Sequence, residues 1–295
     1  MSDSSSRWSD LERPALDAAA LQSALTRDST LWRSVEVVEE IGSTNAALAA
    51  AAADGAPEGT VLVAEHQVTG RGRLDRTWTS PPRAGVTVSF LLRPDVPAAR
   101  RGWLPLLTGV ALAESVRDVT GVLASVKWPN DLLARDGRKL AGILAEAHDR
   151  AVVVGVGLNV STTSAELPGT ATSLSVVTGA TVDRGPVLLG FLRAIERRYR
   201  GWVEALGDPV VSGLARDYLA WSSTVGSEVE VTMPDGSALV GVARAVDWDG
   251  RLVVDTPGGT VELASGDRSE ERFSRNAETE PCISYAVFCL KKKFF

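Results

Sequence analysis

Five consecutive residues, Lys127-Trp128-Pro129-Asn130-Asp131, constrain this chain more than any other stretch. Pro129 disfavours helical backbone at Trp128, so the apolar run Leu123–Lys127 is held extended and ends there as a strand. Asp136-Gly137 then supplies a hairpin turn, and Leu132 to Ala147 reads as the hairpin around it. Lys139-Leu140-Ala141-Gly142 lies on that hairpin, with small residues after the lysine that let a ligand approach the strand. Two cations, a carboxylate, a carboxamide and an indole gathered in this way fill a core poorly. They suit a phosphate or a charged acyl group. The plainer alternative is a core tryptophan with an Asn-Asp turn and an ordinary hairpin lysine.

Around this corner the pattern alternates irregularly between strands and helices. Strands are expected at Ser34–Ile41, Thr60–Glu65, Gly85–Leu92 and Val152–Val160, and the run Val152-Val153-Val154 implies burial on both faces. Helices are expected near Leu16–Thr26, Asn45–Ala53, Leu104–Val119, Val187–Leu206 and Leu214–Trp221. Strict βαβ alternation is missing, so the expected class is α+β, a mixed sheet with flanking helices. After Gly226 short strands alternate with Pro234-Asp235-Gly236, Asp249-Gly250 and Pro257-Gly258-Gly259, which predicts a small β-barrel. The divisions expected are an N-terminal segment 1–33, partly disordered with one helix, a main domain 34–222, a barrel 223–267 and a tail 268–295. The charged tail from Arg268 reads as disordered rather than as a strand of the barrel.

Composition removes several functions. Only His66, His148, Cys282 and Cys289 are available as imidazoles and thiols, too few for a His/Cys metal centre and poor material for a Ser-His-Asp triad. A net charge of −6 argues against a general DNA-binding surface, and the region before Ser34 is too short for a winged helix-turn-helix. No apolar run approaches a membrane span. The first residues lack the basic and apolar regions of a signal peptide, which places the protein in the cytoplasm.

Three further constellations carry chemistry. Gln67-Val68-Thr69-Gly70-Arg71-Gly72-Arg73-Leu74-Asp75-Arg76-Thr77-Trp78 combines glycines that let backbone wrap a ligand with forked guanidinium donors. A dinucleotide fingerprint is rejected, because Asp75 stands at the third glycine. Taken alone, the segment also fits a solvated basic loop. Gly155-Val156-Gly157-Leu158-Asn159-Val160 places glycines in an apolar strand, a sign of close approach by something, and Asn159 needs partners if buried. Gly42-Ser43-Thr44-Asn45 sets hydroxyls and a carboxamide at a helix start, where a plain N-cap is the simpler use.

The order of these motifs is more specific than any one of them. Gly-Ser-Thr-Asn, Gln-x-x-Gly-Arg-Gly-Arg, Lys-Trp-Pro-Asn-Asp, Lys-Leu-Ala-Gly-Ile-Leu and Gly-x-Gly-x-Asn-Val, from Ser34 to Asp267, resemble the biotin protein ligase family. The resemblance implies a ligase-type catalytic domain with a small SH3-like barrel. It implies adenylation of biotin by ATP with Mg²⁺, then transfer from biotinyl-5′-AMP to a lysine of a biotin carboxyl carrier domain of acyl-CoA or pyruvate carboxylases. It assigns Ser43, Thr44, Asn45, Gln67, Gly70, Arg71, Gly72, Arg73, Trp128, Lys139 and Gly142 to biotin. Arg71, Arg73, Arg76, Trp78, Lys127, Asn130 and Asn159 fall to the nucleotide, and Lys139, Arg73 and Asp131 to catalysis. Relatives include monomers and dimers, so a monomer or weak homodimer is expected, with no specific DNA. The rivals are a lipoate or octanoate ligase or transferase of the same fold, and a non-catalytic biotin or nucleotide sensor.

Overall fold

The computed structural model describes residues 13–73, 76–232, 238–264 and 290–291. Seven strands form the main sheet: β1 (Ser34–Ile41), β2 (Thr60–Gln67), β3 (Gly85–Leu92), β4 (Ser125–Lys127), β5 (Asp131–Leu133), β6 (Lys139–His148) and β7 (Ala151–Asn159), in the order β1-β2-β3-β7-β6-β5-β4. β1 and β2 run parallel and the other neighbours antiparallel, so the sheet is mixed. The helices are α1 (Ala18–Thr26), α2 (Thr44–Ala53), α3 (Leu104–Thr120), α4 (Leu174–Thr178), α5 (Arg184–Glu204) and α6 (Leu214–Trp221). The short α4 and a 3₁₀ turn at Ala98–Trp103 had no counterpart in the sequence reading. Among the described residues no helix is long and apolar enough to cross a membrane.

Period-2 alternation decides which residues meet a ligand. On β7, Val152, Val154, Val156 and Leu158 enter the large core shared with α1, α3 and α5. On the other face, Ala151 and Val153 pack under Leu48 and Ala52 of α2, beside Leu62 and Leu91. Further along that face the odd positions become Gly155 and Gly157. α2 is only ten residues long, so it covers one end of the face, and the glycine end is free to become a pocket floor. The large core is locked on the opposite face by edge-to-face rings, Trp32 on Phe90 at 5.7 Å and Phe90 on Phe191 at 6.1 Å.

The second sheet contains β8 (Glu228–Thr232), β9 (Ala238–Val246), β10 (Leu252–Thr256), β11 (Gly259–Leu263) and β12 (Leu290–Lys291), in the order β11-β10-β9-β8-β12. All its pairings are antiparallel, and among the described residues this small SH3-like unit is open rather than a closed barrel. Two residues of the tail are described. Leu290 pairs opposite Val231, so two tail residues continue the sheet beyond β8. An edge strand recruits a neighbour through its unpaired backbone groups, which side-chain patterning does not encode. The rest of the tail and the Pro234-Asp235-Gly236 turn lie outside the described residues.

Candidate active site

The pocket forms where α2, the Gln67–Trp78 loop and the glycine floor of β6 and β7 converge, and it encloses about 150 Å³. Ser43 precedes α2 as its N-cap and accepts from Ala46 N at 3.4 Å, the ordinary cap. Its neighbours do more. The Gln67 side-chain oxygen accepts from Thr44 N at 2.7 Å and from Thr44 Oγ1 at 2.9 Å. Ser89 Oγ donates to Asn45 Oδ1 at 2.6 Å and lies 2.7 Å from Thr44 Oγ1. Asn45 Nδ2 donates to Glu146 Oε2 at 2.6 Å and to Leu144 O at 3.2 Å. The deep end is thus a preset group of amides and hydroxyls, oriented before any ligand arrives.

The glycines of β7 make room for these side chains. A Cβ on Gly155 would stand 2.0 Å from Asn45 Oδ1, and one on Gly157 would stand 2.3 Å from Trp78 Cε2. The close approach foreseen for this strand is therefore made by the protein's own amide and indole. The Trp78 ring lies along the floor near Gly142, and its Nε1 has no hydrogen-bond partner among the described residues. The loop before it is pinched into a narrow turn by Gly72 N donating to Arg76 O at 2.6 Å and Trp78 N donating to Gly70 O at 2.9 Å. Arg71, Gly72, Arg73 and Arg76 all line the pocket.

At the mouth, Lys139 opens β6 and Asp131 opens β5. Lys139 Nζ lies 2.6 Å from Asp131 Oδ1, with both side chains partly exposed, and 5.9 Å from the centre of the Trp78 ring. The Lys139 backbone is clamped by residues 170–172: Lys139 N donates to Thr170 O and Thr172 N to Lys139 O, both at 2.9 Å. Asn130 is fixed beside them, its Nδ2 donating to Ile143 O at 2.8 Å. The result is a cationic, partly hydrated mouth above an amide-rich floor.

Thirteen of the residues singled out in the sequence surround this one pocket: Ser43, Thr44, Asn45, Gln67, Arg71, Gly72, Arg73, Arg76, Trp78, Asn130, Asp131, Lys139 and Gly142. Four lie elsewhere. Trp128 is 1% exposed and faces the small sheet, with Nε1 donating to Gly250 O at 3.1 Å and its backbone N to Thr224 Oγ1 at 2.9 Å. It fastens the two sheets together, and the peptide bond to Pro129 is cis. Lys127 lines a second pocket of about 210 Å³ with Ser223 and Thr224, at the junction of the sheets. Asn159 is 4% exposed and donates to Thr172 O at 3.1 Å, which steadies the segment clamping Lys139. Gly70 is needed because a Cβ there would meet Trp78 O at 2.3 Å; it shapes the loop and does not line the pocket. Ser89 and Glu146, which orient Asn45, were missed. One is a small polar residue inside a strand and the other a strand glutamate, and neither sits in a recognisable motif.

An amide-lined cleft with an arginine loop over a mixed sheet suits a small ligand that carries both polar and anionic groups. Comparison with known proteins agrees and is narrower. Residues 37–162 match the Biotin/lipoate A/B protein ligase family and residues 224–267 the Biotin protein ligase C terminal domain. The biotin–[acetyl-CoA-carboxylase] ligase of Mycobacterium tuberculosis is 45% identical over 260 residues, covering 86% of this chain and 96% of that protein. The bifunctional ligase/repressor BirA of Bacillus spizizenii is 34% identical, covering 77% and 71%. The Aquifex aeolicus biotin protein ligase in complex with biotin and ATP superposes with a TM-score of 0.70 at 27% identity, covering 89% of this chain and all of that one. The chain belongs to the biotin protein ligase family.

Proposed function

We infer that this protein attaches biotin to a lysine of a biotin carboxyl carrier domain, such as those of acyl-CoA or pyruvate carboxylases, in two ATP-dependent steps. The biotin carboxylate attacks the α-phosphorus of ATP, giving biotinyl-5′-AMP and pyrophosphate. The carrier amine then attacks the acyl carbon, the amide forms and AMP leaves. The observation that carries this reading is the Lys139–Asp131 pair at the mouth of a pocket with preset amides at its deep end.

Each part of the pocket suits one part of this chemistry. A ureido ring is a compact donor–acceptor group, and Thr44, Asn45 and Gln67 offer a matching set, with Ser43 beside them. Gly142 and Gly157 leave room for the Trp78 ring, which lies along the floor. Lys139 and Arg73 stabilise charge that grows on the α-phosphate, while Arg71, Arg76, Trp78 and Asn130 face the nucleotide. At about 150 Å³ the pocket is below the ~300–1,000 Å³ usual for small-molecule sites. The arginine loop is the natural cover for an anhydride that water would hydrolyse. The described residues contain no group of three His, Cys, Asp or Glu that could hold a metal ion. Asp131 and Asn130 are oxygen donors suited to Mg²⁺ that arrives on the ATP phosphates with its own waters.

Isotopic exchange between pyrophosphate and ATP tests the first step. Exchange that depends on biotin, with lipoate and octanoate inactive, is expected. Exchange with lipoate or octanoate and none with biotin would transfer the assignment to the sister activity.

A further inference from the structure

Four side-chain oxygens form a line at the deep end of the pocket: Asn45 Oδ1, Ser89 Oγ, Thr44 Oγ1 and Gln67 Oε1, with successive separations of 2.6, 2.7 and 2.9 Å. The orientation of both terminal amides is fixed. Asn45 turns its amino group to the Glu146 carboxylate at 2.6 Å and the Leu144 carbonyl at 3.2 Å, because both are acceptors. Gln67 turns its oxygen to Thr44, because Thr44 N donates to it at 2.7 Å. Each end of the line is therefore an amide oxygen, which carries no proton. Only the hydroxyls of Ser89 and Thr44 bring one each.

Three contacts thus share two protons. With Ser89 donating to Asn45 and Thr44 donating to Gln67, Ser89 Oγ and Thr44 Oγ1 face each other at 2.7 Å with no hydrogen between them. Moving either proton to the centre leaves an end bare instead. Among the described residues the line is one donor short. Ser89, Thr44 and Asn45 are all buried, where a bare contact between acceptors is costly. A ligand N–H relieves it. An N–H on Gln67 Oε1 releases the Thr44 hydroxyl to bond Ser89, and an N–H on Asn45 Oδ1 releases the Ser89 hydroxyl to bond Thr44. A ligand oxygen in the same place adds one more acceptor. Thr44, Asn45 and Gln67 line the pocket, and Ser89 lies behind them. Resting on the biotin reading, we propose that this shortage of protons selects a ligand with N–H groups at its deep end, and that Ser89 is a specificity-determining residue acting through Thr44 and Asn45. The shortage also sets the direction of entry. A ureido ring goes in first, and a carboxylate, which only accepts, stays at the mouth with Lys139.

The test is calorimetric binding to the full chain, without nucleotide, of biotin and of its two cyclic carbamate analogues, in which oxygen replaces one or the other ureido N–H. Wild type is expected to bind at least one carbamate about 100-fold more weakly than biotin, the scale set by a buried acceptor left without its donor. Ser89→Ala takes away one hydroxyl and the bare contact together, leaving Thr44 to bond Gln67. The ratio of affinities between biotin and the weaker carbamate is then expected to fall about tenfold. A side chain that only filled space would lower both affinities alike and leave the ratio unchanged. An unchanged ratio in Ser89→Ala, or equal binding of all three ligands by wild type, overturns the proposal and leaves the ligase reading standing. Wild type that binds none of the three overturns that reading as well.

Discussion

Lys127-Trp128 and Asn130-Asp131 stand on either side of one proline and do different work. Asn130 and Asp131 line the reaction pocket, and Asp131 holds Lys139. Lys127 and Trp128 turn toward the small sheet, where Trp128 is sealed against Gly250 and Thr224. A motif that reads as a single chemical centre is a joint with a site on one side and a fastening on the other. The fastening is broad. Trp103 Nε1 reaches the carbonyls of Asp247 and Trp248, and Arg100 pairs with Asp249 at 2.8 Å. The same Asp247–Gly250 turn therefore receives two buried indoles, and the mouth of the pocket is braced by a unit that contributes none of the described residues to its lining.

This contrast predicts that defects on the two sides separate. The largest expected effect is on stability: Trp128→Ala removes a buried indole and should cost ~3–5 kcal/mol, read as a lower denaturation midpoint. A stable Trp128→Ala protein that has lost biotin affinity would return Trp128 to the pocket. Next comes Lys139→Ala, which should leave stability near wild type and slow adenylate formation ~10²–10³-fold, equivalent to ~2.7–4 kcal/mol of transition-state stabilisation. Gly155→Ala forces a methyl onto Asn45, and overpacking of this kind costs ~1–3 kcal/mol. Its signature is a raised KM for biotin with kcat less affected, and an unchanged KM would show that Asn45 does not face the ligand. Thr224→Val leaves the Trp128 amide unpaired at a similar cost of about 1–3 kcal/mol but with no change in KM; altered biotin binding in that variant would blur the division.

Much of this was legible in the sequence because local rules and burial agreed. The Gly85–Leu92 strand and the Leu214–Trp221 helix occur at the expected residues. The Ser-Thr-Asn turn, the arginine loop and Lys139 converge on one pocket as their order implied. What was not legible has one cause. Alternation along a strand decides which face a residue serves, but the sequence does not say what covers each face. Trp128 and Asn159 sit in the right motifs, yet their partners, Gly250 and Thr172, come from distant or irregular segments. Ser89 and Glu146 were invisible for the same reason, since their importance arises only from contact with Asn45 across the sheet. The two-residue β12 depends on backbone pairing alone.

The division between site and fastening is tested most directly by the single-turnover rate of biotinyl-adenylate formation, per folded molecule, in Lys139→Ala and Trp128→Phe side by side. The expected result is a loss of ~10²–10³-fold in Lys139→Ala and a rate close to wild type in Trp128→Phe, whose defect appears only in stability. Equal slowing in both variants, or near-normal adenylation in Lys139→Ala, would contradict it.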